Sequence, residues 1–130
     1  MKNNFFEDLN QRGLVYQKTE GISNVFDKKT TFYLGIDLTS DSLHLGHLLG
    51  LVILKRAIKY RHFPIVLVAS GTTMIGDPSG KDKERPILPR EIIEKNKKKI
   101  VTQIKNILGA DKFLILDNYD WLKNLKVLEF

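Results

Sequence analysis

Two apolar stretches decide the fold, Thr31-Phe32-Tyr33-Leu34-Gly35-Ile36 and Pro64-Ile65-Val66-Leu67-Val68-Ala69. The first is short and rich in β-forming residues, and the second is an unbroken run typical of a strand buried on both faces. Between them, apolar residues recur at helical spacing, and a cluster of cations ends the segment, where the helix macrodipole favours positive charge. The stretch from residue 31 to residue 69 therefore predicts a β-α-β unit.

The same alternation continues toward the C-terminus. Isoleucines on one face predict a helix over about residues 90 to 108, preceded by Pro89 and followed by Gly109, and residues 113–116 predict a third strand. Residues 70–89 are rich in glycine and proline without lasting periodicity, which predicts a long loop. Strands that alternate with helices indicate an α/β fold with a doubly wound parallel sheet, of which about half is expected here.

The composition is that of one globular domain, and it excludes several classes of protein. The chain has 130 residues, of which 42% are hydrophobic and 28% are charged. It has no cysteine, which excludes disulfide frameworks, thiolate zinc sites and a cysteine nucleophile. Because no signal peptide and no run of ~20 apolar residues is visible, we expect a cytoplasmic protein without a membrane span. The net charge of +6 suits a polyanionic ligand but decides nothing alone.

Three polar segments follow the three predicted strands, namely residues 37–47, 70–85 and 117–121. Because ligands of open α/β sheets bind outside the carboxyl ends of the strands, these segments are expected to meet at one site. In the first segment, His44 and His47 are three residues apart at the start of the predicted helix. Both imidazoles would project from one face near a partly positive helix N-terminus, where they can hold phosphate oxygens.

Two neighbours of the histidines support this hypothesis. Gly46 lets a base or a phosphate chain approach the backbone, and the Thr39 hydroxyl adds a phosphate donor. A structural alternative stays open, in which His44 caps the loop, His47 is a partly buried, hydrogen-bonded histidine, and Gly46 relieves crowding. Zinc binding by the histidines and a nearby aspartate is disfavoured, because the usual i, i+4 spacing is missing.

The second segment contains residues 76–85, which differ from a Walker loop because Asp82 follows Lys81 where serine or threonine should stand. A P-loop kinase is therefore disfavoured. The segment offers an acid, Asp77, held by a following proline, and two cations, Lys81 and Arg85, that can close over a leaving pyrophosphate. The alternative is a simple turn whose cations are solvated.

Several other polar residues are not expected to bind a ligand. We predict that Lys83 and the three consecutive lysines Lys97, Lys98 and Lys99 are solvated, and that His62 is a surface turn residue. The candidate site is thus confined to the three segments that follow the strands.

Together these motifs resemble the bacterial-type tyrosyl-tRNA synthetases, which are class I aminoacyl-tRNA synthetases. His44-Leu45-Gly46-His47 is similar to the His-Ile-Gly-His signature of the class. The tyrosine assignment rests on residues 33–43, 76–85 and 118–121, and the opening residues 9–14 also look like the start of that family. The resemblance covers nearly the whole chain. It implies the N-terminal half of a Rossmann-like class I catalytic domain.

The chain is expected to divide into two parts. Residues 1–30 would be an N-terminal helical segment, because Phe5, Phe6 and Leu9 have the spacing of a short amphipathic helix. Residues 31–130 would be the first, incomplete half of the nucleotide-binding catalytic domain.

The resemblance implies a role for each candidate residue. Tyrosine would be bound by Tyr33, Asp77 and Asn118, with Asp77 near the phenol hydroxyl. A buried acceptor for that hydroxyl separates tyrosine from phenylalanine, which would leave the acceptor unpaired. ATP would be bound by Gly35, Asp37, Leu38, Thr39, His44, Gly46 and His47. Catalysis would rest on Thr39, His44 and His47 along the phosphates and on Lys81 and Arg85 over the pyrophosphate.

The implied reaction is attack of the tyrosine carboxylate on the α-phosphorus of ATP, giving tyrosyl-adenylate and pyrophosphate, followed by transfer to tRNA(Tyr). The carboxylate is already ionised, so catalysis needs positioning and phosphate donors rather than a general base. ATP with Mg²⁺, tyrosine and tRNA(Tyr) are the implied ligands, the protein itself is expected to hold no metal, and the family implies a homodimer.

The sequence departs from the family pattern at a few positions and lacks one signature. The family commonly has proline where Leu38 stands, and often a polar residue where Leu34 and Gly50 stand. The Lys-Met-Ser-Lys-Ser signature does not occur in these 130 residues, so this chain alone is not expected to complete the reaction. The alternatives are another nucleotidyltransferase with a His-x-Gly-His helix and a truncated binding or regulatory module.

Overall fold

The computed structural model describes residues 4–76, 87–109 and 112–126. The strands are β1 (Thr31–Ile36), β2 (Phe63–Val68) and β3 (Leu114–Asp117). The helices are α1 (Phe5–Gln11), α2 (Ile22–Val25), α3 (Leu45–Lys59), α4 (Ser70–Ile75), α5 (Arg90–Leu108) and α6 (Tyr119–Leu122). None of the helices in these ranges has the length and hydropathy needed to cross a membrane.

The three strands form one parallel sheet in the order β1-β2-β3. Tyr33 lies opposite Ile65 in the first pair, and Val66 lies opposite Ile115 in the second. Helix α3 connects β1 to β2 and α5 connects β2 to β3, because parallel neighbours need a long crossover. The predicted α/β class with a parallel sheet is confirmed, although β2 begins and ends one residue earlier than predicted and β3 one residue later.

One face of the sheet packs against α3 and α5. The buried core there consists of Ile36, Leu38, Leu51, Leu54, Val66, Val68, Ile93, Ile100, Ile104 and Leu108. The α5 isoleucines fall on one face, as their spacing predicts. Helix α5 ends at Leu108 and is capped by Gly109, whose φ of 85° is accessible to glycine without strain. The core therefore lies on one side of the sheet, between it and two amphipathic helices.

The opposite face of the sheet is open among the described residues. Tyr33 and Leu114 are 69% and 42% exposed on this face. In β2, Val66 is fully buried, but Ile65 on the other face is only partly buried. The prediction that this strand is buried on both faces is therefore wrong for the described part of the chain, because α3 and α5 pack on the same side.

The predicted loop at residues 70–89 is wrong for its first part, which is the short helix α4. No side chain of its own caps the helix, but the Gly71 N–H donates to Asn118 Oδ1 at 2.7 Å. Gly76 ends it with a φ of 82°, a left-handed conformation that favours glycine. Because the stabilising partner is 47 residues away, local composition did not reveal this helix.

An aromatic cluster closes the amino end of the sheet and contains Phe5, Phe26, Phe32, Tyr60 and His62. The prediction that His62 is a surface residue is wrong, because it is only 5% exposed. Its Nδ1 accepts from the Thr30 N–H at 3.2 Å. Burial among the rings lowers the pKa of His62 below its usual value, so the imidazole is neutral at physiological pH.

A buried ion pair joins α1 to α3 at the same end. The Asp8 carboxylate, whose side chain is 7% exposed, accepts from Arg56 Nε at 2.5 Å and from Arg56 Nη2 at 2.6 Å. The Arg56 hydrogen bonds, supported by Arg12, lower the pKa of Asp8 to about 2, although burial opposes the shift. The N-terminal helix is thereby fixed against the crossover helix.

Candidate functional site

The two histidines of the first segment form the N-terminal cap of α3. His44 is the capping residue, and its Nδ1 accepts from the Gly46 N–H at 3.1 Å. The His47 Nδ1 accepts in turn from the His44 N–H at 3.3 Å, which completes a reciprocal capping box. The two imidazole rings are stacked with their centroids 3.8 Å apart. Both rings therefore lie against the first turn of α3.

The capping bonds decide which nitrogen of each ring carries a proton. A ring nitrogen that accepts a hydrogen bond is unprotonated, so both His44 and His47 carry a proton at Nε2. Burial lowers the pKa of His47, the neighbouring His44 ring lowers it further, and the Asp37 carboxylate opposes the shift. His47 is therefore a neutral imidazole near pH 7. Both rings present Nε2–H donors at the positive end of a 15-residue helix.

Gly46 is required by this arrangement. A Cβ at that position would lie 2.9 Å from Cε1 of the His44 ring, closer than real side chains approach. The features of the structural alternative, a capping His44, a hydrogen-bonded His47 and a crowded Gly46, are thus present. The capping hydrogen bonds use only the Nδ1 atom of each ring. The Nε2–H groups can therefore still bind a phosphate.

The remaining ATP-site candidates lie in or just after β1. Gly35 lies in the strand on the open face, next in line to the exposed Tyr33. Asp37 is partly buried, Leu38 is 0% exposed, and Thr39 is exposed at the carboxyl end of the strand. The structure therefore places the polar candidates Asp37 and Thr39 on the same short segment that leads to the α3 cap.

Asn118 stands between β3 and α6 and is only 6% exposed. Its N–H donates to the Val68 carbonyl at 3.1 Å, which extends the pairing of β2 and β3. Its side-chain Oδ1 accepts from Gly71 N–H at 2.7 Å, and its Nδ2 donates to Thr72 Oγ1 at 3.0 Å. The side chain is engaged with the first turn of α4, so its position depends on that helix.

A buried polar network holds the ends of β2 and β3 together beside Asn118. The Asp117 carboxylate accepts from Ser70 Oγ at 2.7 Å, from the Tyr119 N–H at 3.0 Å and from Lys97 Nζ at 2.5 Å. The prediction that Lys97 is solvated is wrong, because the pair is largely buried. Although burial opposes both shifts, the pair raises the pKa of Lys97 and lowers that of Asp117.

Part of the predicted site lies outside the described residues. This holds for Asp77, Lys81 and Arg85, for the turn alternative at that segment, and for the solvated Lys83. Among residues 4–76, 87–109 and 112–126, no group of three histidine or acidic side chains has a geometry that could hold a metal ion. What the described part brings together is the α3 cap, the segment after β1, and the polar network around Asn118.

The sequence model of the family described as tRNA synthetases class I (W and Y) matches residues 26–130. The chain belongs to this family. The tyrosine–tRNA ligase of Clostridium tetani is 47% identical to it over the whole chain, and that of Oenococcus oeni is 43% identical over 95% of it. The chain spans about a third of the length of these curated relatives, 33% and 30% respectively.

Solved structures show that this class I synthetase chain has the fold of its family. A C-terminally truncated Aspergillus nidulans mitochondrial tyrosyl-tRNA synthetase superposes on 98% of the chain with a TM-score of 0.84, at 23% identity. A Coccidioides posadasii mitochondrial tyrosyl-tRNA synthetase does so over 98% with a TM-score of 0.79, at 24% identity. The chain covers 41% and 39% of those two chains.

Three polar residues beside the candidate site were not predicted from the sequence as site residues. Thr73, Asn96 and Lys97 all lie within hydrogen-bonding distance of the segments that follow the strands. Asn96 carried a usable signal, because it interrupts the apolar stripe between Ile93 and Ile100. A polar residue on a buried helix face needs a partner in the core. Thr73 and Lys97 gave no such signal.

Proposed function

We propose that the full-length protein containing this chain is a tyrosine–tRNA ligase, which forms tyrosyl-adenylate from tyrosine and ATP and transfers the tyrosyl group to tRNA(Tyr). The observation that carries the proposal is the His44–His47 cap, with two Nε2–H donors at a helix N-terminus beside the carboxyl end of β1. The tyrosine–tRNA ligases that are 43% and 47% identical over this region support the choice of amino acid.

The cap suits a reaction that needs phosphate donors. The tyrosine carboxylate is ionised near neutral pH and needs no base to attack the α-phosphorus. Negative charge grows on the phosphate oxygens as pyrophosphate leaves, and fixed donors stabilise that charge without reorganising. We propose that His44, His47 and Thr39 supply these donors, while Gly35, Gly46, Asp37 and Leu38 shape the nucleotide site. Lys81 and Arg85 would close over the pyrophosphate.

Tyrosine would lie against the open face of the sheet. Tyr33 is exposed on that face, and α4 leads through Gly76 directly to Asp77, the proposed acceptor of the phenol hydroxyl. Because the Asn118 side chain is engaged with α4, we propose that it acts on tyrosine by holding this helix in place. Together these residues would favour tyrosine over phenylalanine.

The wider assignments belong to the same proposal. Mg²⁺ would arrive with ATP as part of the substrate, the full-length protein would be a homodimer, and it would be cytoplasmic. Residues 1–30 would be the helical segment in front of an incomplete catalytic domain that covers residues 31–130.

Tyrosine-dependent ATP–pyrophosphate exchange by the full-length protein tests the proposal. We expect exchange with tyrosine and not with phenylalanine, and an Asp77→Ala variant that needs far more tyrosine for the same rate. Exchange without any amino-acid dependence would indicate another nucleotidyltransferase. ATP binding without exchange would indicate a binding module.

A further inference from the structure

Both backbone groups of Leu38 are held by side chains from other elements. Its N–H donates to Thr73 Oγ1 of α4 at 3.1 Å, and its carbonyl oxygen accepts from Asn96 Nδ2 of α5 at 2.8 Å. Leu38 is 0%, Thr73 6% and Asn96 5% exposed. We call these three residues the Leu38 clamp. It is a buried polar contact between two helices and the segment that follows β1.

The clamp exists because Leu38 has left the sheet. Leu38 lies beyond Ile36, the last residue of β1, so its backbone groups are not paired by strand hydrogen bonds. A buried backbone N–H or carbonyl without a partner costs free energy comparable to a lost hydrogen bond. Thr73 and Asn96 supply the two partners, and both side chains are short. The segment is thereby fixed in one position relative to both helices.

The clamp also lies between the two halves of the proposed site. Leu38 stands between Asp37 and Thr39, the residues proposed to lie beside ATP. Thr73 belongs to the helix that leads to Asp77, the residue proposed to bind the phenol of tyrosine. A shift of α4 relative to the segment after β1 would therefore move one substrate relative to the other.

We propose that Thr73 and Asn96 are positioning residues for adenylate formation, which hold the ATP segment and α4 at the spacing that in-line attack requires. The inference rests on the proposed function. A misplacement of about 1 Å between two reactants can slow a reaction by as much as 10²-fold, whereas binding of each substrate alone is little affected. The clamp therefore acts on kcat of the exchange reaction and leaves each KM nearly unchanged.

Thr73→Val in the full-length protein is the main test, because valine keeps the shape and removes the acceptor. We expect kcat for tyrosine-dependent exchange to fall about 10-fold, with KM for ATP and tyrosine within a factor of about two. Thr73→Ser, which keeps the hydroxyl, should restore most of the rate. Thr102→Val is the matched control, because Thr102 lies exposed on α5 and bonds only within its helix. A Thr73→Val enzyme with wild-type kcat would overturn the proposal.

A double-mutant cycle distinguishes the clamp from a general packing effect. Leu38→Pro removes the N–H that Thr73 accepts, and the family pattern commonly has proline at this position. If the clamp is the cause, Thr73→Val should slow the Leu38→Pro enzyme much less than it slows the wild type. An equal effect in both backgrounds would contradict the proposal.

Amide hydrogen exchange of the free protein gives a readout that does not depend on activity. In Thr73→Val, the segment around residues 37–39 should lose protection while β2 and α5 keep theirs. Unchanged protection of that segment would overturn the inference. A wild-type protein without tyrosine-dependent exchange would instead contradict the proposed function, and the amide measurement would still decide whether Thr73 fixes the segment.

Discussion

The two ends of the sheet both contain histidines that accept a backbone hydrogen bond at Nδ1, yet their surroundings differ. At the amino end, His62 is 5% exposed and packs against the rings of Phe5 and Phe26 in the aromatic cluster. At the carboxyl end, His44 is exposed and stacks on the partly buried His47 at the start of α3. The hydrogen bond at Nδ1 therefore fixes a packed ring at the amino end, in His62. At the carboxyl end it leaves the Nε2–H donors of His44 and His47 available to a ligand.

The polar contacts of the two ends differ in the same way. At the amino end, the Asp8–Arg56 pair joins two helices and is supported by one further arginine. At the carboxyl end, Asp117 and Asn118 join two strands to α4 and α5 through several hydrogen bonds. The amino end thus combines one ion-pair cluster with many packed rings, whereas at the carboxyl end polar groups from several elements converge.

The largest expected difference between the ends is catalytic. His44→Asn keeps a side-chain oxygen that can cap α3 but removes the Nε2–H, so the rate of tyrosyl-adenylate formation should fall about 100-fold. Tyrosine affinity and the urea midpoint of unfolding should change little. Pyrophosphate exchange and equilibrium unfolding of the full-length protein check both parts.

Two variants serve as controls for the His44 prediction. His44→Ala also removes the cap of α3. It should therefore lower the free energy of unfolding by about 1 kcal/mol, and the rate of tyrosyl-adenylate formation should fall as much as in His44→Asn. His62→Asn should leave the exchange rate unaltered. If His44→Asn kept the wild-type activation rate, the histidine would only cap the helix and its phosphate role would be wrong.

The next largest effect is on stability and belongs to the amino end. Phe5 is 1% exposed and contacts Phe26, Phe32, Tyr60 and His62. Phe5→Ala should lower the free energy of unfolding by about 3 kcal/mol, because it removes a buried ring and leaves a cavity. The exchange rate at a temperature where the variant is folded should be nearly that of the wild type. Phe6→Ala, at a partly buried neighbour, should cost clearly less.

Elements that follow a local sequence pattern were predictable, whereas features that depend on a distant partner were not. The apolar periodicity of α3 and α5 and the apolar runs of the strands are local patterns. The helices and the strands that they predict are present in the structure. Helix α4 is stabilised by Asn118, and Lys97 pairs with Asp117 twenty residues away. The burial of His62 depends on the rings of Phe5, Phe26 and Phe32. No window of sequence contains both members of these contacts. The placement of His44 and His47 at a helix start was predictable, but their mutual capping was not.

A smaller loss of stability is expected from Asp8→Asn. Arg56 lowers the pKa of Asp8 to about 2, below its unfolded value of about 3.9, so the folded state favours the carboxylate. This contribution is complete above the unfolded pKa and is lost as the pH falls through the folded pKa. At neutral pH, Asp8→Asn should lower the free energy of unfolding by roughly a third as much as Phe5→Ala does, because solvent at Arg56 screens the ion pair.

The pH dependence separates this explanation from a packing defect. Urea unfolding of the wild type and of Asp8→Asn should converge as the pH falls from about 4 toward about 2. A constant difference across that range would contradict the role of the ion pair. Asp41→Asn, which breaks the exposed Asp41–Lys99 pair, should leave the midpoint nearly unchanged.

The smallest expected effect is the titration of His62. Burial lowers its pKa in the folded state, so between the folded pKa and the unfolded value of about 6.5 the unfolded chain binds more protons. Stability should therefore decrease as the pH is lowered through about 6.5, and the loss should continue until the folded pKa is reached.

His62→Asn, which retains an acceptor for the Thr30 N–H, should flatten the dependence of the unfolding free energy on pH in this range. Part of the slope should remain, because burial also lowers the pKa of His47 at the other end. An unchanged slope in His62→Asn would show that the aromatic cluster tolerates a charged imidazole, and the contrast between the two ends would then rest on catalysis alone.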